Sequence, residues 1–120
     1  MLAARNRMRR SVEFAATIKH GRRSAHPDLV IHAHRAGAPD SPPGPRIGLV
    51  VSKAVGTAVT RHRVSRRLRH VARTVVDELD PADRVVIRAR PGCAVSSSAA
   101  LETQLRAGLT RLTAGCRSRR

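Results

Sequence analysis

Val64, Leu68, Val71, Ala72, Val75 and Leu79 recur at the spacing of one helix face, and six arginines lie between Arg61 and Arg73 in the same stretch. At about 100° per residue, His62, Arg63, Arg66, Arg69, His70 and Arg73 fall within a sector roughly 120° wide on the side opposite the apolar stripe. Arg67 flanks that sector, and Arg61 projects nearer the stripe, at the start of the helix. Such a helix has one side that the rest of the chain must cover and another that it cannot cover. It therefore has to lie on the outside of a packed layer.

No Asp or Glu occurs between Asp40 and Asp77. A solvated helix face ordinarily mixes both signs at i, i+4, and this one has nothing to pair with until Asp77. Over the whole chain of 120 residues, 24 Lys plus Arg oppose 8 Asp plus Glu, a formal charge of +16. The isolated protein repels itself at neutral pH, and a polyanionic partner relieves that repulsion. If six of the helix cations each neutralise one phosphate, affinity falls with salt at a log-log slope of roughly −4 to −5. Lys19 and Lys53 are the only lysines. Arginine favours planar, bidentate phosphate contacts, although an Ala-, Val- and Arg-rich composition accounts for the same bias.

Several function classes drop out. Phe14 is the single aromatic residue, so a sheet that stacks several bases, as in an RNA-recognition motif, is not available. Cys93 and Cys116 are far apart and form no C-x-x-C pattern, so neither a disulfide framework nor a zinc site is indicated, and a reducing cytoplasm is expected. No apolar run approaches the roughly 20 residues that span a bilayer. The basic residues 1–10 are followed by no apolar segment of a secretory signal. Of the six histidines, His32 and His34 share a strand face, and His62 and His70 lie on the helix. No carboxylate or cysteine stands beside them at ligand spacing, and no set of nucleophile, acid and base can be assembled. A catalytic residue, a metal site and a bound cofactor are therefore not expected on the protein. At an RNA surface a neutral histidine hydrogen bonds or stacks instead.

The chain divides into a basic arm (1–10), one folded domain (11–114) and a short basic tail (115–120). At this length a domain buries roughly two-thirds of its unfolded surface. Ser11 offers a cap, Glu13 sits in the first turn and Gly21 marks the stop of a first helix whose Phe14 and Ile18 share a face. Residues 29–35 alternate as a half-buried strand, with Leu29, Ile31 and Ala33 on one side and Val30, His32 and His34 on the other. A proline-rich loop (36–45) precedes a strand at 46–52. Gly56 turns the chain into the arginine helix (58–79), Asp80-Pro81 ends it, and 83–90 is a strand again. A run of serines at 96–98 caps a last helix with the stripe Leu101, Leu105, Leu109 and Leu112. A helix-turn-helix fits poorly, because the element before the arginine helix is a strand.

Residues 51–69 (VSKAVGTAVTRHRVSRRLR) closely resemble the signature of the bacterial ribonuclease P protein component, in which a Lys and a Gly-x-Ala-Val precede an Arg-Asn-Arg box. The similarity extends in order to residues 5–10 (RNRMRR), Glu13-Phe14, Lys19-His20-Gly21 and residues 85–90 (VVIRAR). His62 stands in place of the usual Asn, and Ser65 in place of a common Lys.

The resemblance implies an α+β domain, helix-strand-strand-helix-strand-helix around a small mixed sheet, with a left-handed βαβ crossover where the general rule is right-handed. It implies a protein subunit of ribonuclease P that binds the catalytic RNA and the 5′ leader of precursor tRNA and assists endonucleolytic 5′ maturation, with no DNA or membrane partner. Catalysis belongs to the RNA, which also holds the Mg2+. Arg5, Arg7, Lys53, Arg61, His62, Arg63, Arg66, Arg67, Arg69 and Arg73 are the expected RNA contacts. Phe14, Ile18, Val30, His32, Val86 and Arg88 are expected to line the leader cleft; Ile18 and His32 stand where aromatics are frequent in the family. A ribosomal or general RNA-binding protein is the alternative, and a self-sufficient nuclease is the third class.

Overall fold

The computed structural model describes residues 6–8, 11–35, 44–79 and 83–117, and for residues 35 and 113–117 the backbone alone. In chain order the elements are α1 (Ser11–His20), β1 (Arg22–Ala25), β2 (Leu29–Arg35), β3 (Arg46–Val50), a 3-10 turn (Lys53–Val55), α2 (Ala58–Val76), β4 (Asp83–Ala89), a second 3-10 turn (Pro91–Ala94) and α3 (Ser98–Arg117). The sheet order is β1-β2-β4-β3. The first two pairings are antiparallel, and β3 runs parallel to β4, so α2 is the crossover between neighbouring parallel strands.

The arginine helix forms as its spacing requires. Val64, Leu68, Val71, Ala72 and Val75 are buried and pack with Ile31, Ile47, Val85 and Ile87 of the sheet and with Leu101, Leu105, Leu109 and Leu112 of α3. Each leucine removed from water in this way contributes about 1.5–3 kcal/mol. Thr57 caps α2 by accepting from the Thr60 N–H at 3.3 Å, and Ser97 accepts from the Ala100 N–H at 3.1 Å at the start of α3. Helices α2 and α3 thus cover one face of the sheet.

α1 covers the other face, and this corrects the expectation of a half-buried second strand. Val30 and His32 are 7% and 5% exposed and Val86 is fully buried, although all three point away from the main core. Two glycines let α1 sit close. At Gly21 a Cβ would run into the Thr17 carbonyl oxygen and lie 2.8 Å from the Ala33 carbonyl oxygen. At Gly48 a Cβ would stand 2.5 Å from Cε1 of Phe14, so the ring rests on bare backbone.

Other boundaries differ from the sequence expectation. Strand β1, which pairs with β2 from Arg22↔Ala33 to Ala25↔Val30, was not foreseen. Its four residues (RRSA) are too few to show alternation. β3 ends at Val50 and α2 at Val76, both earlier than expected, and α3 continues to Arg117, three residues into the expected tail. Part of the expected arm is docked: Arg7 bridges Ile47 in parallel, the Met8 N–H donates to the Ile47 carbonyl at 2.9 Å, and the Asn6 amide donates to the Pro45 carbonyl at 2.9 Å. Arg5, the break at residues 80–82 and most of the proline-rich loop lie outside the described residues.

Candidate nucleic-acid interface

Where α2 passes the start of α3, Val59, His62, Arg63, Arg66, Arg67, His70 and Ser98 line an open concavity of about 540 Å3. Helical spacing places the α2 residues along one side, and the absence of any acid from that stretch leaves the hollow cationic. Arg63, Arg66, His62 and His70 are exposed. Arg67 differs: it is half-buried, and its guanidinium donates to the Ser96 carbonyl at 2.6 Å. Ser96 in turn donates through its hydroxyl to the Asp28 carboxylate at 2.6 Å, which also accepts from the Gln104 amide at 2.8 Å. Those two bonds, with Arg90 nearby, hold the Asp28 carboxyl below the usual carboxylate range against a smaller opposing effect of burial. A hydrogen-bonded line thus runs from the β1–β2 turn through the α3 entry to the arginine helix.

The other expected RNA contacts are more scattered. Arg61 lies toward the apolar side, with its Nε buried and unpartnered. Arg69 is half-buried and Arg73 exposed farther along α2. Lys53 is exposed on the 3-10 turn before α2, and Arg7 lies on the β3 edge. Val59 and Ser98 join the concavity without having been singled out, because their part depends on how α3 meets α2.

A second cluster lies under α1. Phe14 is half-buried over Gly48, Ile18 is 39% exposed, Val30, His32 and Val86 form the buried floor, and Arg88 is exposed at its end. The six expected cleft residues therefore share one face of the sheet and its covering helix, three of them as floor. Both ring nitrogens of His32 are buried without a hydrogen-bond partner. Burial presses its imidazole below the ordinary histidine value, and the charges of Arg88 and Arg23 add to this.

Because the folded value is the lower one, His32 is neutral and costs nothing above the unfolded value of about 6.5, and stability is lost as pH falls below it. Thermal unfolding between pH 7.5 and 5 should show wild type losing more stability than His32→Leu. Parallel pH slopes for the two proteins would rule out His32 as the source.

Metal and thiol chemistry find no support in the described residues. No group of three or more His, Cys, Asp or Glu is placed to hold a metal. The Cys93 thiol is buried, and desolvation, aided by Asp28, pushes it up to about 11, so it is an inert core group. No helix among the described residues is long and apolar enough to cross a membrane.

Comparison with known proteins gives one consistent answer. The family model described as Ribonuclease P matches residues 2–113. The ribonuclease P protein component of Mycobacterium avium (strain 104) is 61% identical over 116 residues, covering 96% of this chain and 98% of that protein. That of Mycobacterium tuberculosis (strain CDC 1551 / Oshkosh) is 57% identical over 111 residues, covering 92% of each. Among solved structures, the Staphylococcus aureus RNase P protein superposes with a TM-score of 0.72 at 21% identity, over 88% of this chain and 93% of that one. The Thermotoga maritima protein gives 0.69 at 20%, over 88% and 94%.

Proposed function

Since the chain belongs to the ribonuclease P protein family, we propose that its arginine-lined concavity docks the catalytic RNA while the sheet face under α1 holds the 5′ leader of precursor tRNA. As the family's protein component, it serves tRNA 5′ maturation in a ribonucleoprotein whose catalysis is the RNA's. Nothing in the relatives favours a ribosomal or general RNA-binding role. The magnesium chemistry is assigned to the RNA. A cytoplasmic site of action follows from the same assignment.

The observation that carries the docking is the joint placement of Arg63, Arg66, His62 and His70 around one concavity with no carboxylate on that stretch of α2. Phosphates of a folded RNA are fixed there by charge-assisted hydrogen bonds, and counterion release supplies the driving force. Lys53, Arg61, Arg69, Arg73 and the arm residue Arg7 extend the cationic track, and Arg5 is assigned the same role from the sequence alone. Opposite, the α1 face offers Phe14 for stacking and an apolar floor suited to unpaired bases.

Reconstitution tests the whole assignment. Adding the protein to the matching large RNA should stimulate precursor tRNA cleavage at low magnesium, with no cleavage by the protein alone. A protein that bound an unrelated structured transcript as tightly, and left cleavage unchanged, would instead be a general RNA binder. Shortening the leader to nothing should remove protein-dependent affinity for the precursor, and an unchanged affinity would free the α1 face of this role.

A further inference from the structure

We infer that Asp28, in the turn between β1 and β2, is a positioning residue for RNA docking: acting through Ser96, it holds the Arg67 guanidinium fixed in the wall of the α2 concavity before RNA arrives. The inference rests on the docking assignment above and adds to it a residue that lies outside the concavity.

Asp28 is tied down from several sides. Its backbone N–H donates to the Gln104 side-chain oxygen at 3.0 Å, its backbone carbonyl accepts from the Arg90 N–H at 2.9 Å, and its carboxylate accepts from the Gln104 amide at 2.8 Å. Helix α3 and the residue after β4 therefore clamp one position of a turn. The Ser96 hydroxyl reaches the same carboxylate at 2.6 Å, with the Gly92 carbonyl 3.1 Å away as a second acceptor. Glycine at 92 lets the carboxylate come this near, because a Cβ there would run into its Oδ1. The Ser96 carbonyl then accepts from Arg67 at 2.6 Å. Both ends of the line act on the buried Cys93 thiol, Asp28 pushing it up and Arg67 drawing it down.

A brace for the fold is complete without its last bond. Gln104, Arg90 and the Ser96 hydroxyl already join the β1–β2 turn to β4 and to the entry of α3. What the bond to Arg67 adds is a cation with a fixed place. Of the three arginines that line the concavity, Arg67 alone is half-buried and hydrogen-bonded among the described residues, whereas Arg63 and Arg66 are exposed and make no such bond. A guanidinium carries five N–H donors, and the Ser96 carbonyl takes one of them, so the rest of the fork stays available to a phosphate. An arginine held in this way loses less side-chain freedom on meeting RNA than a free one does. Arg63 and Arg66 adapt to the phosphates they meet, and Arg67 supplies the fixed point that sets the register. A carboxylate suits the holding role because charged acceptors make the stronger hydrogen bonds. The Ser96 and Gln104 bonds keep this one below the usual carboxylate range, so it stays ionised on mild acidification.

The test measures equilibrium binding of the full chain to the matching large RNA over a salt series, with a thermal melt of every variant. Asp28→Ala should weaken binding about 3- to 10-fold, the cost of ordering one long side chain at an interface, at a near wild-type salt slope because Arg67 keeps its charge. Arg67→Gln should weaken binding about tenfold or more and lower the slope by about 0.7–0.9. Asp28→Asn removes the same charge but keeps an acceptor for the Ser96 hydroxyl, and should recover most of the loss. Ser96→Ala cuts the line in the middle while sparing the carbonyl that Arg67 uses, and should reproduce the Asp28→Ala loss of affinity at a smaller cost in stability. The double variant decides: in the Arg67→Gln background, Asp28→Ala should take away no further RNA affinity although its effect on the melt persists. If Asp28→Ala fails to fold, the same comparison is read from Ser96→Ala. Equal losses of affinity with and without Arg67, unchanged binding, or tighter binding by both Asp28 variants, as a pure charge effect demands, would each overturn the inference. Wild-type RNA affinity in the Arg63/Arg66 double variant would instead remove the concavity from RNA docking, and the role of Asp28 would fall with it.

Discussion

Replacing Arg63 and Arg66 together with alanine is expected to weaken binding of the large RNA about a hundredfold or more and to flatten its salt dependence. Each charge-assisted contact contributes roughly 1.5–3 kcal/mol, and each phosphate released lowers the slope by about 0.7–0.9. The melting temperature should hardly move, because both side chains are exposed and hydrogen bond to nothing among the described residues. Arg67→Ala makes an informative contrast. Its guanidinium already donates to the Ser96 carbonyl, so loss of stability should accompany whatever RNA affinity it loses. Binding isotherms over a salt series, with thermal melts of the same proteins, separate the two patterns. An Arg63/Arg66 double variant with wild-type slope would place the RNA on another surface.

The second large effect is on folding. Gly21→Ala puts a methyl group against the Thr17 carbonyl oxygen and 2.8 Å from that of Ala33. Both are backbone atoms at the junction of α1 and β2, so neither gives way as a side-chain tip would. A cost at the upper end of about 1–3 kcal/mol, or beyond it, is expected, seen as a fall in the denaturant midpoint. α1 is the element that shifts to relieve the clash, so protein-dependent affinity for a leader should fall with it while binding of the large RNA through α2 persists. Gly48→Ala is the milder control, because its neighbour is a Phe14 ring that can rotate. Equal midpoints for Gly21→Ala and wild type would contradict the close approach of α1 to β2.

Much of this architecture can be read from residue order. Val64, Leu68, Val71 and Val75 specify α2 because the helical period is repeated over about three turns, and the leucines of α3 do the same. The arginine side of α2 is legible for the same reason, and it is the larger part of the proposed RNA surface. What could not be read has definite causes. β1 is four residues long with serine as its one buried member, so neither period nor composition announces it. Burial of His32 depends on α1 folding back over the sheet, a long-range event that alternation within one strand cannot report. The bonds from Asp28 to Ser96 and from Ser96 to Arg67 join residues 68 and 29 positions apart, beyond the reach of any local motif.

Docking of residues 6–8 along β3 has a consequence for the protein before it meets RNA. An open strand edge is a template on which a second chain can add and aggregation can start. Here the chain's own start occupies one edge through the Met8–Ile47 bond. The opposite edge is only the four residues of β1, with Arg22 and Arg23 exposed on it. Neither edge of the sheet thus presents a long, bare strand on which another copy could add.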